Sequence, residues 1–430
     1  MSKPVKSTIT SDMEGRIETF NQGAEEIFGY SANEVIGKKR VSLFSPGLTV
    51  LEHVPTWLKT AREEGEYTGR TVFVRKDGSR FAADIRITPT WRDGEQIGYC
   101  GVTTPLPDVP VEEAAQTISP VTRVFAGMVV TRAPFLTATI IPILVGAAWV
   151  AATGAVTPFP WLLFALTMLG GIALHIAANT FNDYFDWQSG TDPLNNDYFL
   201  PLSGGSRSIE LGLISEQGLL RLALAVSGIA TAIGIVLLTL RGWPIIVFGL
   251  IGLAFAYFYT APPVRLAARK GLGELVTGLS FGPLMVAGTV YTLSGSLTLA
   301  DAFLGLPIGL LITAVLWINE FPDLLADKAT GKINAVVVLG KSTARWGYLL
   351  IVAGAFGLIV AGVATGLLPL GTLLMLAALP VGTYTTWYLF KHYQDRELVR
   401  ANQLTIALHV VAGVLLTVGL LISDQLISLI

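Results

Sequence analysis

Nine long apolar segments follow one another from residue 134 onward, and they constrain the fold more than any other feature of the chain. They lie near 134–152, 159–179, 217–239, 243–261, 274–293, 301–319, 346–365, 368–390 and 404–423. Each has about the 20 residues that an α-helix needs to cross a bilayer. Only 14% of all residues are charged, whereas soluble domains have about a quarter. The pattern predicts an all-α polytopic membrane protein with nine transmembrane helices.

The segments that connect these helices alternate between long, basic ones and short ones. The long connections, 180–216, 262–273, 320–345 and 391–403, hold most of the Lys and Arg residues of this region, whereas the short ones hold only Arg241. Basic loops stay on the cytoplasmic side, and the polar first thirty residues contain no signal peptide. We therefore expect a protein of the cytoplasmic (inner) membrane, with its N-terminus and N-terminal domain in the cytoplasm.

The first hundred residues are charged and have no long apolar run. Residues 17–20 predict a strand and 21–30 a short helix, and 71–75, 80–88 and 97–103 alternate apolar and polar side chains as strands do. The stretches 20–30 and 75–81 resemble a PAS domain, a soluble α/β sensor module. The predicted organisation is a PAS-like domain at 1–105, a Pro-rich acidic linker at 106–122 and a membrane domain at 123–430. The resemblance implies regulation of the membrane domain or a homodimer formed through the PAS domain.

Two acidic clusters lie where predicted transmembrane helices reach the cytoplasmic side. Asp183 and Asp186 are three residues apart and Asp323 and Asp327 are four apart, so each pair shares one face of a helix. Asp192 follows the first pair. Carboxylates and phosphate oxygens are ligands that Mg²⁺ prefers, and a protein commonly supplies only one or two carboxylates to each ion. The two clusters together predict a site for Mg²⁺ ions around one diphosphate.

Basic residues follow both acidic clusters in the sequence. The turn 203–207 ends in Arg207, and Lys332 follows the second cluster after Gly331. A Gly-Gly-Ser-Arg turn can offer backbone N–H groups and a guanidinium to phosphate oxygens. Acidic residues that were only solvated loop charges would not need such partners. The combination therefore favours a metal–diphosphate site.

The motifs Asn182-Asp183-x-x-Asp186 and Asp323-x-x-x-Asp327 resemble the paired motifs of the UbiA superfamily of intramembrane prenyltransferases. Arg132 before the first helix and the stretches 259–263 and 271–274 are similar to further motifs of that superfamily. The resemblance covers about residues 120–430. It implies a Mg²⁺-dependent enzyme that transfers a polyprenyl group from an allylic diphosphate to an aromatic acceptor, with the prenyl tail among the apolar helices.

The resemblance also implies roles for individual side chains. The metal ligands would be Asp183, Asp186, Asp192, Asp323 and Asp327. The diphosphate would be bound by Asn182, Arg207, Arg265, Lys332 and Arg132. Catalysis would involve Asp183, Asp186, Asp323 and Tyr259, whose aromatic face would stabilise the allylic cation. The alternative for Tyr259 is a place in the aromatic belt at the membrane surface.

The spacing after Asp186 bears on the acceptor. Asp192 lies six residues later, as in the 1,4-dihydroxy-2-naphthoate branch that serves menaquinone synthesis, whereas a spacing of four is typical of the 4-hydroxybenzoate branch. The stretch 195–207 departs from the menaquinone branch, and so do Glu320 and Pro322, where Asn and Arg are expected. Transfer to 4-hydroxybenzoate or to another aromatic or lipid acceptor therefore stays open.

A PAS-regulated membrane receptor or transporter is the alternative from another class. A transporter predicts acidic residues inside the helices and internal inverted repeats, but the acidic residues lie at helix ends and no repeat is visible. An inactive receptor predicts the loss of one acidic cluster, and both clusters are present. The expected partners are a polyprenyl diphosphate, an aromatic acceptor and the lipid bilayer. No nucleic-acid partner is expected.

Overall fold

The computed structural model describes residues 5–195 and 205–423, which fall into two compact units. The N-terminal unit contains Met1–Val130 together with Arg207–Glu216, and the membrane unit contains Thr131–Ser206 and Gln217–Ile430. The segment Arg207–Glu216 is therefore separated in sequence from the rest of its unit. The boundaries at 105 and 122 stay a prediction.

The N-terminal unit is built on a five-stranded antiparallel sheet in the order β2-β1-β5-β4-β3. The strands are β1 (Ser7–Asp12), β2 (Ile17–Phe20), β3 (Tyr67–Val74), β4 (Arg80–Arg92) and β5 (Glu95–Pro105). The helices are α1 (Gln22–Phe28), α2 (Ala32–Val35), α3 (Gly47–Glu52), α4 (Val54–Glu64), α5 (Val111–Ala114) and α6 (Pro120–Val130). The predicted strands and the predicted short helix coincide with β2, α1, β3, β4 and β5, whereas β1 was not predicted.

The core of this sheet forms because apolar side chains alternate along the strands and meet the helices. The side chain of Asn21 accepts a hydrogen bond from the N–H of Ala24 and so begins α1, which ends at Gly29 with φ +77°. The ring of Phe28, at the end of α1, lies 4.3 Å from that of Phe44 and 5.7 Å from that of Phe73, measured between centroids. This aromatic cluster fixes the helix on the sheet.

The membrane unit is all-helical. Eight of the described helices are long and apolar enough to cross a membrane: α7 (Ala133–Ala152), α8 (Trp161–Gln188), α10 (Glu216–Arg241), α12 (Leu272–Ser294), α13 (Leu299–Ala329), α15 (Lys341–Ala364), α16 (Leu370–His392) and α17 (Leu398–Leu421). The remaining predicted segment, 243–261, corresponds to α11 (Pro244–Phe258), which has only 15 residues. Two short helices, α9 (Thr191–Leu194) and α14 (Ala335–Leu339), lie in the connections.

Helix α13 forms the centre of the membrane unit. Its side chains Ile308, Ile318 and Phe321 are completely buried. It meets α12 at very short range, since a Cβ added at Gly282 would lie 2.5 Å from the carbonyl oxygen of Gly305. Small residues allow transmembrane helices to approach each other this closely. The crossing fixes the acidic end of α13 relative to α12.

Candidate functional site

The first acidic cluster lies at the C-terminal end of α8 and is held by Arg132, the residue before α7. The Arg132 Nη2 atom donates to Asn182 Oδ1 at 3.1 Å and forms an ion pair with Asp183 Oδ1. Asp183 also accepts the backbone N–H of Ser206 at 3.3 Å. The structure therefore brings Arg132, Asn182 and Asp183 together, whereas their predicted roles in binding diphosphate and metal stay predictions. The N–H of Ser206, which was expected to face phosphate, faces a carboxylate.

The second acidic cluster lies at the C-terminal end of α13 and meets the first through Lys332. The Lys332 Nζ atom donates to Asp186 Oδ2 at 3.0 Å and lies 3.8 Å from Asp327 Oδ1. Asp186 and Lys332 are 146 residues apart in sequence. A single ammonium thus joins one carboxylate of each cluster.

Two asparagines hold the second cluster from the side. Asn334 Nδ2 donates to Asp327 Oδ2 at 2.8 Å, and Asn195 Nδ2 donates to Asp323 Oδ1 at 2.7 Å. Asn195 follows α9 and so connects the loop after the first cluster to the second. Each of these two aspartates thus keeps an amide hydrogen bond, which orients it.

The two basic side chains stay charged because of their carboxylate neighbours. Burial by itself would lower the pKa of Lys332, but Asp186 and Asp327 raise it well above its usual value. Burial likewise opposes the charge on Arg132, and Asp183 raises the pKa of its guanidinium. The positive charges of Lys332 and Arg132 therefore balance part of the negative charge of the carboxylates. A bound diphosphate can attract the same two side chains.

Gly205 lies between the residues of the first cluster. Its φ is +77°, and a Cβ added to it would lie 3.0 Å from Asp192 Oδ2 and 3.1 Å from both Asp183 Oδ1 and Arg132 Nη2. Asp192 thereby lies near Asp183 and Arg132, six residues beyond Asp186. The space beside the backbone of Gly205, between Asp183, Asp192 and Arg132, would be filled by any side chain at this position. We call this space the cradle.

The donor atoms of the site fit Mg²⁺. All of the side chains at the two clusters that can ligate a metal offer oxygen atoms, and Asp327 Oδ1 accepts no hydrogen bond. Within the described ranges no group of three His, Cys, Asp or Glu side chains is close enough to enclose one ion. Mg²⁺ does not need such a group, because it takes one or two carboxylates and fills its other positions with water and phosphate.

A cavity of about 610 Å³ extends from these carboxylates into the membrane unit. Its polar end is lined by Arg132, Asn182, Asp186, Asp192, Gly205, Tyr259, Asn319, Glu320, Asp323, Asp327 and Lys332. Its other end is apolar, with side chains such as Ile235, Phe248 and Leu253 from α10 and α11. Ile235 is also 57% exposed on the outer face of α10. A ligand with a charged head and a long apolar tail matches both ends.

Two predicted diphosphate-binding residues, Arg265 and Arg207, stay predictions. Arg265 adopts φ +47° in the connection before α12, and in the described part of the chain it forms no ion pair with either cluster. Arg207 belongs to the N-terminal unit, where its Nη1 atom donates to Glu210 Oε2 at 2.9 Å. Ser203 and Gly204 of the predicted turn lie outside the described residues.

The structure adds residues that the sequence did not single out for the site. Asn195 and Asn334 are ordinary loop asparagines without a recognisable spacing, so no local signal points to them. Gly205 was part of the predicted turn, but its place between the carboxylates requires the tertiary structure. In the sequence, Glu320 was noted only because it departs from the expected motif. Its position about one helical turn before Asp323 could have indicated that it lies near the site.

The chain matches two family models. The model of the UbiA prenyltransferase family matches residues 139–421, and that of the PAS domain matches residues 5–104. Similar proteins include a 1,4-dihydroxy-2-naphthoate octaprenyltransferase of Bacillus subtilis, 26% identical over 68% of this chain and 91% of its own length. A 2-carboxy-1,4-naphthoquinone phytyltransferase of Synechocystis is 28% identical over 67% of this chain and 90% of its own length.

A solved structure has the same membrane fold. The apo structure of a UbiA homolog from Aeropyrum pernix K1 has a TM-score of 0.52 and 20% identity, and the match covers 65% of this chain and 97% of that one. With the apolar helices, these matches describe a multi-pass membrane protein with an N-terminal PAS domain. The chain belongs to the UbiA prenyltransferase family.

Proposed function

We propose that this protein transfers a polyprenyl group from an allylic diphosphate to an aromatic acceptor, and that the acceptor is 1,4-dihydroxy-2-naphthoate in menaquinone synthesis. The observation that carries the proposal is the meeting of two acidic clusters, joined by Lys332, at the polar end of an apolar cavity. Membership of a prenyltransferase family favours an enzyme over a transporter or a receptor.

The carboxylates are the proposed metal ligands. Asp183, Asp186 and Asp192 would hold Mg²⁺ on one side of the diphosphate, and Asp323 and Asp327 would hold it on the other. The chemistry that bound Mg²⁺ supplies is stabilisation of the negative charge that develops on the leaving diphosphate. The oxygen-only donor set supports this assignment.

The basic residues would change partners when the diphosphate binds. Lys332 and Arg132 pair with carboxylates in the structure, and phosphate oxygens would attract them from there. Their charges then lie where the leaving group becomes more negative, which lowers the barrier to ionisation. Asn182 would hold Arg132 in place, whereas the roles of Arg207 and Arg265 stay predictions.

The allylic cation would form at the junction between the polar and apolar parts of the cavity. Tyr259 lines this region and would present its aromatic face to the cation. The apolar walls exclude water, which would otherwise capture the cation as an alcohol. The prenyl tail would extend between α10 and α11 toward lipid.

The acceptor is proposed from the names of the relatives and from the spacing of the aspartates. The relatives from Bacillus subtilis and Synechocystis are named for naphthoate or naphthoquinone substrates. The six-residue step from Asp186 to Asp192 agrees with them. A 4-hydroxybenzoate or another aromatic or lipid acceptor is the second candidate, because Glu320 and Pro322 differ from the expected motif. The protein would work in the cytoplasmic membrane with its PAS domain in the cytoplasm.

Purified protein in lipid vesicles tests the proposal. We expect a labelled polyprenyl diphosphate to be transferred to 1,4-dihydroxy-2-naphthoate when Mg²⁺ is present, and the product to disappear when a chelator removes the ion. Restoring Mg²⁺ should restore the product, which separates metal removal from denaturation. 4-Hydroxybenzoate is the parallel acceptor. If neither acceptor, nor any other hydroxylated aromatic compound, is prenylated, the proposed function is wrong.

The PAS domain is proposed to regulate the transfer through the segment Arg207–Glu216. The chain leaves the membrane unit at Ser206, whose N–H contacts Asp183, and enters the N-terminal unit at the next residue. There the segment folds into turns and lies against the start of α3. A Cβ added at Gly47 would be 2.0 Å from the carbonyl oxygen of Leu211. Ser206 and Arg207 are consecutive in the chain, so this segment is the proposed route by which the PAS domain would act on the loop beside Asp183. A PAS homodimer stays a prediction.

We expect Gly47→Ala to change the rate of transfer at least about fivefold, a typical size for coupling between two sites. The added methyl group must displace Leu211 and, with it, the chain that leads to Ser206. Gly23→Ala is the matched control, since its methyl group would meet the carbonyl oxygen of Lys6 at 2.1 Å, away from the segment. Rates would be measured with the full-length protein beside thermal unfolding of both variants. Equal rates in Gly47→Ala, Gly23→Ala and the wild type would refute the coupling.

A further inference from the structure

A buried carboxyl group in the cavity has no role in the site described so far. Glu320 lies on α13 and is only 8% exposed, and its Oε2 atom has no hydrogen-bond partner among the described residues. Burying a polar atom without a partner is unfavourable, so such an atom in a native structure requires an explanation. A ligand that completes its hydrogen bonds is one explanation, and the cavity that Glu320 lines is where a ligand would lie.

The helix around Glu320 is built to keep this side chain in place. Pro322 has no backbone N–H, so the carbonyl of Ile318 lacks its helical hydrogen bond. The loss of this hydrogen bond weakens the helix at this point. The Asn402 Nδ2 atom donates to Asn319 Oδ1 at 2.6 Å and lies 3.5 Å from the oxygen of Ile318. A completely buried side chain from α17 thus supports the helix where the proline interrupts it. Glu320 is therefore held by the helix and does not move freely.

Glu320 forms no ion pair with a basic side chain among the described residues. Lys332 is within 4 Å of Asp186 and Asp327, and in the described residues no basic group is that close to Glu320. Glu274 of α12 is a further acidic neighbour, and a proton shared by the two carboxyl groups would form a hydrogen bond between them. The Oε1 atom of Glu274 accepts the N–H of Ala335 at 2.6 Å. A structural salt bridge thus does not account for Glu320.

The position of Glu320 indicates what it would contact. It is three residues before Asp323, which places it about 4.5 Å deeper along the helix than the carboxylates proposed to hold the diphosphate. The first carbon of the prenyl chain is bonded to the diphosphate, so it extends into the same part of the cavity. An acceptor ring that attacks this carbon must lie beside it. Glu320 and Tyr259 both line this part.

We propose that Glu320 binds the acceptor by accepting a hydrogen bond from a hydroxyl group on its aromatic ring. The inference rests on the proposed function and deepens it by naming the substrate class, a phenolic ring. A carboxyl oxygen accepts a hydroxyl hydrogen, whereas an acidic pair such as Glu320 and Glu274 repels a second carboxylate. An acceptor that carries both groups would therefore turn its hydroxyl toward Glu320 and its carboxylate away.

The variant Glu320→Leu tests this assignment, because leucine has a similar volume but no oxygen that could accept a hydroxyl hydrogen. We expect the KM for the acceptor to rise about 10- to 100-fold, as for the loss of a hydrogen bond to a charged group. The KM for the polyprenyl diphosphate should change less than about twofold, because Glu320 does not touch the diphosphate. Glu397→Leu is the matched control, since Glu397 accepts a hydrogen bond from Tyr388 and does not line the cavity. An unchanged acceptor KM, or an equal rise in both KM values, would overturn the proposal.

A second measurement uses the wild-type protein and needs no variant. An acceptor whose ring hydroxyl is replaced by a methoxy group keeps most of the electron density of the ring but cannot donate a hydrogen bond. We expect the wild type to discriminate against it by at least about tenfold and Glu320→Leu, which has no acceptor oxygen, to lose most of that discrimination. Equal use of both acceptors by the wild type would contradict the role of Glu320, while transfer itself would still support the proposed function.

Discussion

Replacing Asp186 with asparagine is expected to reduce prenyl transfer by about 100- to 1,000-fold, the usual effect of removing one group that stabilises developing charge. Asp186 accepts a hydrogen bond from Lys332 and lines the polar end of the cavity, so it lies where both clusters meet. The same loss is expected for Asp323→Asn, from the other cluster. Transfer of a labelled polyprenyl group in vesicles at saturating Mg²⁺ would measure both.

Folding should survive the change at Asp186. Lys332 keeps Asp327 at 3.8 Å as a partner, so its buried ammonium is not left without a carboxylate. Asp395→Asn is the control, because Asp395 is a half-exposed aspartate that pairs with His392 in another connection. The control should insert and transfer like the wild type. Full activity in either Asp186→Asn or Asp323→Asn would contradict the two-cluster site, provided that membrane insertion is equal.

The sequence predicted those features of the fold that local patterns determine. An apolar run of about 20 residues is sufficient to indicate a membrane helix, and all nine predicted segments coincide with helices of the structure. Helix α11 is shorter than a full span because Pro244 begins it and Tyr259 follows its last residue, which hydropathy does not reveal. Strand β1 was missed because Ser and Thr fill most of its six positions and leave one apolar side chain, Ile9.

The contacts that join the site could not be predicted in the same way. Asp183 and Asp186 share a helix face by their spacing alone, but the pairing of Asp186 with Lys332 depends on how α8 and α13 pack. Asn195 reaches Asp323 across 128 residues for the same reason. The membership of Arg207–Glu216 in the N-terminal unit likewise depends on packing around Leu211. The sequence therefore indicates which side chains could take part in such contacts, whereas the packing of the helices determines which of them meet.

Gly205→Ala is expected to reduce transfer about tenfold, although it removes no functional group. The new methyl group would lie 3.0 to 3.1 Å from Asp192 Oδ2, Asp183 Oδ1 and Arg132 Nη2. Contacts of that length require the carboxylates and the guanidinium to move by a few tenths of an ångström. A displacement of about 1 Å at a reacting centre costs about 100-fold in rate, so a smaller loss of about tenfold is expected here. The rate of transfer and the concentration of Mg²⁺ at half-maximal rate would be measured. We expect the rate to fall and the required concentration of Mg²⁺ to rise.

Backbone strain is the competing cause of such a loss, and Gly190 separates the two. Gly190 has φ +79°, nearly the φ +77° of Gly205, but a Cβ added there meets no atom within 4 Å. Gly190→Ala therefore carries the same left-handed strain without a methyl group in the cradle. If both variants lose activity equally, strain in the connection explains the effect. If only Gly205→Ala loses activity, the loss comes from the methyl group itself. The space beside Gly205 is then required by the ligand that binds between Asp183, Asp192 and Arg132.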